Sequence, residues 1–489
     1  MNMIRSLNMD DRTSVMRSSI LPQPKHFRAA TVRLASPVLL VVLAMVTGRS
    51  ITGAQSPQPF KPPKAGLILF RDVTLIDLTG GPERTRMDVL VAGERIEKVF
   101  PDAEIDRSLL HKARVIPLTG HFLMPGLIDA HVHLATPPNR RQAEAILRRD
   151  VYGGVTAVRD MADDLRAVGE LTRASLVGEI ASPDIYYAAL MAGPSFFTDE
   201  RAVQVTAGGV PGNVPWMQSI TDATDLRLAV AQARGTYATA IKLYGDLSPE
   251  FAERITEEAH KQHMLVWAHA TLYPAKPSEV VAAGVDTISH ACLLVREPQK
   301  HVPSWTELRQ PVALAPFRDG NNPDLAALFK MMVDRRTILD ATIWTYSPST
   351  AGSSALPILA PGSCDDTIGA AITGQAFRAG VPIDAGTDNV GDWTDHWPDL
   401  FHEVAALKKA GLPNGAVLES ATLISARAAG QDREMGSIEP GKLANMVVLT
   451  RDPMLDLDHL KSVVMTVKRG RIFPRSEFVP LHRADITDH

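Results

Sequence analysis

Two rhythms of apolar residues divide the chain. Leu67–Leu78, Asp88–Val91 and Arg95–Val99 are short runs rich in aliphatic and β-branched residues, broken at Gly80-Gly81 and Gly93. Such runs between turn signals predict strands. The pattern returns at Met446–Thr450, Ser462–Val467 and Arg471–Phe473, which predicts one small β-sandwich assembled from both ends of the chain. Between them, apolar runs alternate with helical periodicity over residues 122–425, as βα units and a parallel sheet require. Eight candidate strands centre on Ile128, Val158, Tyr186, Ile241, Val266, Ile288, Ala341 and Ile383. Eight parallel strands close a (β/α)8 TIM barrel, in which chemistry sits at the C-terminal strand ends. The predicted segments are a sandwich in two parts, 64–121 and 426–475, around a barrel at 122–425, with a tail at 476–489. No internal repeat of fixed period is visible.

The first 54 residues follow neither rhythm. Arg28 and Arg33 precede an apolar run, Val38 to Val46, and then the small residues Thr52-Gly53-Ala54. A basic region, a short apolar core and small residues at the end predict a secretory signal peptide. The run is far short of the roughly 20 residues that span a bilayer. The expectation is export to a bacterial periplasm with no stable membrane insertion after cleavage; an uncleaved anchor is the alternative. Residues 55–63, rich in proline, are expected to form an extended linker.

Composition narrows the class. The chain has 489 residues, 51 basic against 55 acidic, for a formal net charge of −4. Binding nucleic acid needs a basic surplus that is absent here, so no nucleic-acid partner is expected. Cys292 and Cys364 are the two cysteines. A disulfide framework is excluded, and in a chain large enough to bury a full core these two are expected to stay unpaired.

Candidate chemistry gathers at the predicted strand ends. His131 and His133 stand two apart in Gly126-Leu-Ile-Asp-Ala-His-Val-His133, and on a strand that spacing puts both imidazoles on one face. His269 and His290 each close an apolar run, Asp388 ends Val381-Pro-Ile-Asp-Ala-Gly-Thr-Asp388, and Lys242 sits inside Ala240-Ile-Lys-Leu-Tyr-Gly245. A lysine in a buried parallel strand is costly unless it is paired or put to use. Taken singly, a strand-end histidine is more often a hydrogen-bonded core residue than a ligand. Together, imidazoles and a carboxylate at one barrel mouth suit zinc or a similar divalent ion. Arg159 and Asp160 are expected either to meet substrate or to form an internal ion pair. Asp129 is expected to support the site rather than ligate, and His402-Glu403 to lie on a helix with the histidine solvated or capping. Met191–Asp222 and Leu293–Leu325 read as long loops of the kind that form lids. Arg296, Arg309 and Arg318, in the second, are either solvated or turned to an anionic substrate.

On these residues the chain resembles the amidohydrolase superfamily. The resemblance rests on Met124-Pro-Gly-Leu-Ile-Asp-Ala-His-Val-His133, Gly154-Val-Thr-Ala-Val-Arg-Asp160, the strand-end set above and Gly436-Ser-Ile-Glu-Pro-Gly-Lys-Leu-Ala444. Asn445 follows where that pattern usually has aspartate. The resemblance implies two divalent metals at the mouth, His131, His133 and Asp388 on the more buried one, His269 and His290 on the other. It further implies that Lys242 takes up carbon dioxide and bridges the pair as a carbamate; a lysine paired with Asp160 or Asp388 is the structural alternative. A metal-bridging hydroxide would attack, with Asp388 as general base and then acid. No Gly-x-Ser-x-Gly nucleophile motif competes with that scheme.

Ring deaminases of the superfamily commonly carry a glutamate three residues after the histidine of the fifth strand, where this chain has Leu272. The lysine-bridged pattern instead resembles the imidazolonepropionase-related branch. That branch includes secreted Xaa-Pro and Xaa-Arg dipeptidases, N-acyl amino acid hydrolases and an ochratoxin-cleaving amidase. The implied substrate is a small molecule or dipeptide with a free carboxylate, for which Tyr244 is a candidate donor; a packed aromatic of the barrel is its alternative role. A lactonase or organophosphate hydrolase on the same site, and an inactive binding protein on the same barrel, are the competing readings. A homo-oligomer is compatible with all of them.

Overall fold

A computed structural model describes residues 66–307, 310–348, 364–388 and 394–481. The predicted signal peptide and linker, Arg309 and the end of the tail lie outside the described residues.

The chain's two ends build one sheet. Its N-terminal strands are β1 (Leu67–Leu75), β2 (Arg84–Ala92), β3 (Arg95–Pro101), β4 (Arg114–Pro117) and β5 (Phe122–Pro125). Its C-terminal strands are β16 (Met446–Leu449), β17 (Val463–Lys468) and β18 (Arg471–Pro474). The order is β18-β17-β16-β5-β1-β2-β3, with β4 beside β1. β5 opens the stretch predicted as barrel, yet it pairs antiparallel with β16, Leu123 opposite Val448. The short apolar run Phe-Leu-Met-Pro has no helix before the next strand, so it is the splice between the two halves of the sheet. Phe70, Val73, Val89, Leu123, Met446 and Val448 form its fully buried core.

The barrel follows the predicted strands. They are β6 (Leu127–Val132), β7 (Val155–Asp160), β8 (Asp184–Ala192), β11 (Ala240–Leu243), β12 (Leu265–His269), β13 (Thr287–Ser289), β14 (Ile338–Asp340) and β15 (Ile383–Asp384). Neighbours along this series are parallel. The ring closes where the Ala130 N–H donates to the Ala385 carbonyl at 2.8 Å and Asp388 N–H to the His131 carbonyl at 2.8 Å. β14 ends one residue before Ala341, the predicted centre. Strands covered on both sides are almost uniformly apolar, and Ile241, Val266, Ile288 and Leu339 are fully buried; each contributes about 1.5–3 kcal/mol of hydrophobic stabilisation.

Surrounding helices begin at polar caps. Asn139, Asp225, Ser248 and Asp365 each accept a backbone N–H of the first turn, a contact worth about 1 kcal/mol.

Two expected loops are more ordered than loops. Residues 191–222 contain a 3-10 turn (Pro194–Thr198), a short helix (Glu200–Val205) and the strands β9 (Asn213–Val214) and β10 (Met217–Ser219). β10 adds in parallel to the end of β8, Met217 opposite Leu190. In the second segment Arg296 is not solvated. It is buried and donates through Nη2 to the Gln310 carbonyl at 2.5 Å and through Nη1 to Gln299 at 3.3 Å. Arg318 is exposed.

Cys292 and Cys364, expected to remain unpaired, form a disulfide across 72 residues with Cα atoms 5.9 Å apart. The fold brings the turn after β13 to the start of the helix Asp366–Arg378, a proximity that no local spacing announces. Among the described residues, no helix is long and apolar enough to cross a membrane.

Candidate functional site

Asp388 is the hub of a buried cluster at the C-terminal barrel mouth. Its Oδ1 lies 3.1 Å from His131 Nε2 and 3.3 Å from His133 Nε2, and its Oδ2 lies 3.7 Å from His290 Nδ1. Ligand atoms of His131, His290 and Asp388 all fall within 4.8 Å of one another. His290 thus groups with His131 and Asp388 as well as with His269, whose ring centroid is 4.6 Å from its own.

Carboxylates behind the histidines set which nitrogen faces inward. His131 Nδ1 is 2.6 Å from Asp340 Oδ2, and His133 Nδ1 is 2.8 Å from Asp163 Oδ1. Each imidazole therefore turns Nε2 toward Asp388, the arrangement that orients metal-binding histidines. His290 Nδ1 contacts the Thr342 hydroxyl at 2.9 Å. Asp163 and Asp340 were not anticipated from the sequence, although Asp340 lies one residue before the centre of a predicted strand and ends that strand in the structure.

Three fully buried atoms, His269 Nδ1, His290 Nε2 and Asp388 Oδ2, make no hydrogen bond. Buried polar atoms are rarely left unpaired, and these three belong to three of the predicted ligands. A divalent cation fits this donor set, which is imidazole nitrogen and carboxylate oxygen.

Lys242, also fully buried, donates from Nζ to Ser289 Oγ at 2.9 Å, and Ser289 Oγ donates to Asp340 Oδ2 at 2.9 Å. Burial pushes the lysine down to about 7, against the pull of Asp340. Burial also lowers His290 to about 3 and His269 well below the usual range. Burial alone would raise Asp388, but the facing imidazoles hold its carboxyl well below the ordinary value. A neutral His269, a neutral His290 and an ionised Asp388 are protonation states that bind cations; burial would also lower His133, but Asp163 and Asp388 raise it well above its ordinary value.

The loop carrying Asp388 is fastened from both sides. Asp129 accepts from the Thr387 N–H and hydroxyl at 3.0 and 2.9 Å and from the His131 N–H at 3.2 Å, so it supports the site as expected. Thr345 donates to the Asp388 carbonyl at 3.2 Å. A Cβ on Gly386 would sit 2.4 Å from Asp340 Oδ1 and 2.6 Å from His131 Cβ, so glycine is required for this approach. Asp388 and His290 hold φ of 49° and 78°, a left-handed strain typical of functional positions.

Other residues resolve as follows. Arg159 is an internal ion-pair residue: Nη2 is 3.1 Å from Asp384 and 3.3 Å from Asp340, and its guanidinium lies over Trp267 at 4.7 Å. Its neighbour Asp160 instead accepts the Leu134 N–H at 3.0 Å. His402 is exposed and stacks on Trp344 at 4.6 Å. Glu403 is fully buried and accepts the Ile343 and Trp344 N–H groups at 3.0 and 2.7 Å, pinning the loop after β14. Tyr244 rests on His269, centroids 3.9 Å apart, and its hydroxyl accepts from Arg201 Nη1 at 3.4 Å. Arg201 is a third residue that sequence reasoning missed.

Comparison with known proteins agrees with this geometry. Residues 122–473 match the Amidohydrolase family. An adenine deaminase from Klebsiella pneumoniae is 35% identical over 117 residues, 24% of this chain and 17% of the deaminase's length. The chain is thus matched to less than a fifth of that relative. A Xaa-Pro dipeptidase with bound methionine superposes with a TM-score of 0.64 at 20% identity, over 84% of this chain and 100% of the dipeptidase. The A. niger ochratoxinase gives a TM-score of 0.64 at 18% identity, over 84% and 96%. At such identities these two likenesses speak for the fold, while the family match spans most of the chain: this protein belongs to the amidohydrolase family.

Proposed function

We propose that the protein is a metal-dependent hydrolase that cleaves an amide or peptide bond in dipeptides, N-acyl amino acids or ochratoxin-like amides. The observation that carries this reading is the set of buried, unpartnered ligand atoms around Asp388. His131, His133, His269, His290, Asp388 and a Lys242 carbamate would hold two divalent ions, zinc by the chemistry of the donors. Such ions, when bound, activate water near neutral pH and polarise a carbonyl.

The protein's own groups do the rest. Asp340 and Asp163 hold the imidazoles of His131 and His133 so that Nε2 faces the reaction centre. Asp388, ionised at neutral pH, accepts the proton of the attacking water and delivers it to the departing amine. The depressed Lys242 pKa favours the free amine that reacts with carbon dioxide. Tyr244, beside His269, serves as a donor to the substrate carboxylate. Leu272, fully buried three residues past His269, brings no carboxylate to the mouth, which disfavours ring deamination. The Cys292–Cys364 disulfide supports the reading of an exported protein, since such bonds persist in oxidising compartments.

The test is a screen of dipeptides and N-acyl amino acids with metal-loaded protein, following release of free amine. Stoichiometric amine and acid are expected; no amide turnover beside rapid lactone or phosphotriester turnover would favour the competing hydrolase reading.

A further inference from the structure

A cavity opens beside His133, with Leu190, Phe196 and Met217 among its walls and Arg201 and Tyr244 supplying polar groups. Its apolar walls suit a hydrocarbon side chain, and its two convergent donors suit an anion.

Arg201 is held in advance of any ligand. Asp199 accepts its backbone N–H at 2.9 Å and pairs with Nε and Nη2 at 3.1 Å each. Nη1 turns to the Tyr244 hydroxyl at 3.4 Å, a long contact for a hydrogen bond. Burial alone would lower the arginine pKa, but Tyr244 and Asp199 keep it raised, so the guanidinium remains cationic. Tyr244 is itself wedged between His269 and Phe196, with centroids 3.9 and 4.7 Å away. The segment bearing Arg201 is clasped to the barrel by Gly193 N–H to the Gly245 carbonyl at 2.9 Å and Ser195 N–H to Asp246 at 2.8 Å.

We infer that Arg201, positioned by Asp199, joins Tyr244 in binding the substrate's free carboxylate, and that the apolar cavity selects amides of amino acids with apolar side chains. This rests on the amide-hydrolase reading and adds the residue that determines specificity within it. A carboxylate accepting from both the guanidinium and the phenol would make charge-assisted bonds with each.

The experiment compares N-acetyl-leucine with its primary carboxamide, and with N-acetyl-aspartate, using metal-loaded protein. The wild type should favour the free acid over the carboxamide on the order of 10- to 100-fold in kcat/KM, as expected for a hydrogen bond to a charged group. N-acetyl-aspartate should be the poorest free acid. In Arg201→Met the acid-to-carboxamide ratio should collapse through a rise in KM for the acid, with Arg201→Lys restoring part of it. An unchanged ratio in Arg201→Met overturns the assignment. Calorimetric binding of L-leucine and L-leucinamide to the wild type is independent of turnover and of variant folding: tighter leucine binding is expected, and equal affinities overturn the proposal. Failure of every amide to turn over, with leucine still preferred, would reject the amide-hydrolase reading and retain the anchor.

Discussion

His131 Nδ1 and Asp340 Oδ2 lie 2.6 Å apart, both side chains fully buried. The contact fixes the imidazole tautomer, raises its basicity and turns Nε2 toward Asp388. Asp340 also takes the Ser289 hydroxyl and stands 3.3 Å from Arg159, so it joins the proposed ligand His131 to the barrel's internal charges. Asp340→Asn should weaken metal retention by about 10- to 100-fold, read as the chelator concentration that strips the protein. Asp340→Ala should in addition lose about 3–5 kcal/mol of stability, because Arg159 and His131 lose a buried partner. Unchanged chelator resistance in Asp340→Asn would contradict this role.

Lys242 makes a pH prediction. An ordinary lysine is an ammonium until pH 10.5, whereas this one is pushed down to about 7. Below that value it is protonated and cannot attack carbon dioxide; above it the amine is free. At fixed dissolved carbon dioxide, loading of apoprotein with zinc should rise through pH 7 and level off by pH 8–9, roughly two units above the midpoint. Lys242→Ala should abolish the carbon dioxide dependence. Equal loading in carbon dioxide-free buffer would remove the carbamate from the account.

What the sequence disclosed and what it withheld divide along physical lines. Period-two spacing exposed His131 and His133, and apolar runs ending in His269, His290 and Asp388 marked strand ends, because those signals are local. Asp340 meets His131 across 209 residues, and Cys292 meets Cys364 across 72; no spacing encodes such meetings. Glu403 had a local signal that went unused. With Leu400, Val404 and Leu407 it repeats at three- and four-residue intervals, the inward face of its helix, and it is buried with them. Arg201 lies in a segment whose sequence resembles a loop, and its role appears only once Asp199 and Tyr244 are seen on either side of it.

The disulfide should carry measurable stability. Closing a loop of 72 residues is worth about 4 kcal/mol by the chain-entropy estimate. Cys292→Ser with Cys364→Ser should lower the midpoint of denaturant unfolding by a corresponding amount. An unaltered midpoint would mean that the bond does not form in the folded protein.

Gly386 tests the packing of the site without replacing a ligand. A methyl group there collides with both Asp340 and His131, so Gly386→Ala should shift the Asp388 loop. A displacement of about 1 Å at the reacting groups can cost on the order of 100-fold in rate, and kcat should fall accordingly while the protein remains folded by circular dichroism. A kcat equal to that of the wild type would show that the loop has more freedom than its contacts imply.

The central claim is that Asp388 moves a proton during amide hydrolysis at a metal site built by the barrel mouth. Its most direct test is the pair wild type and Asp388→Asn, each loaded with zinc, assayed for amine release from N-acetyl-leucine with metal content measured on the same samples. The account predicts that the wild type releases one amine per acid and that the variant loses at least about 100-fold in kcat, the lower bound for a general acid–base group. Undiminished turnover in a variant of matched metal content would contradict it.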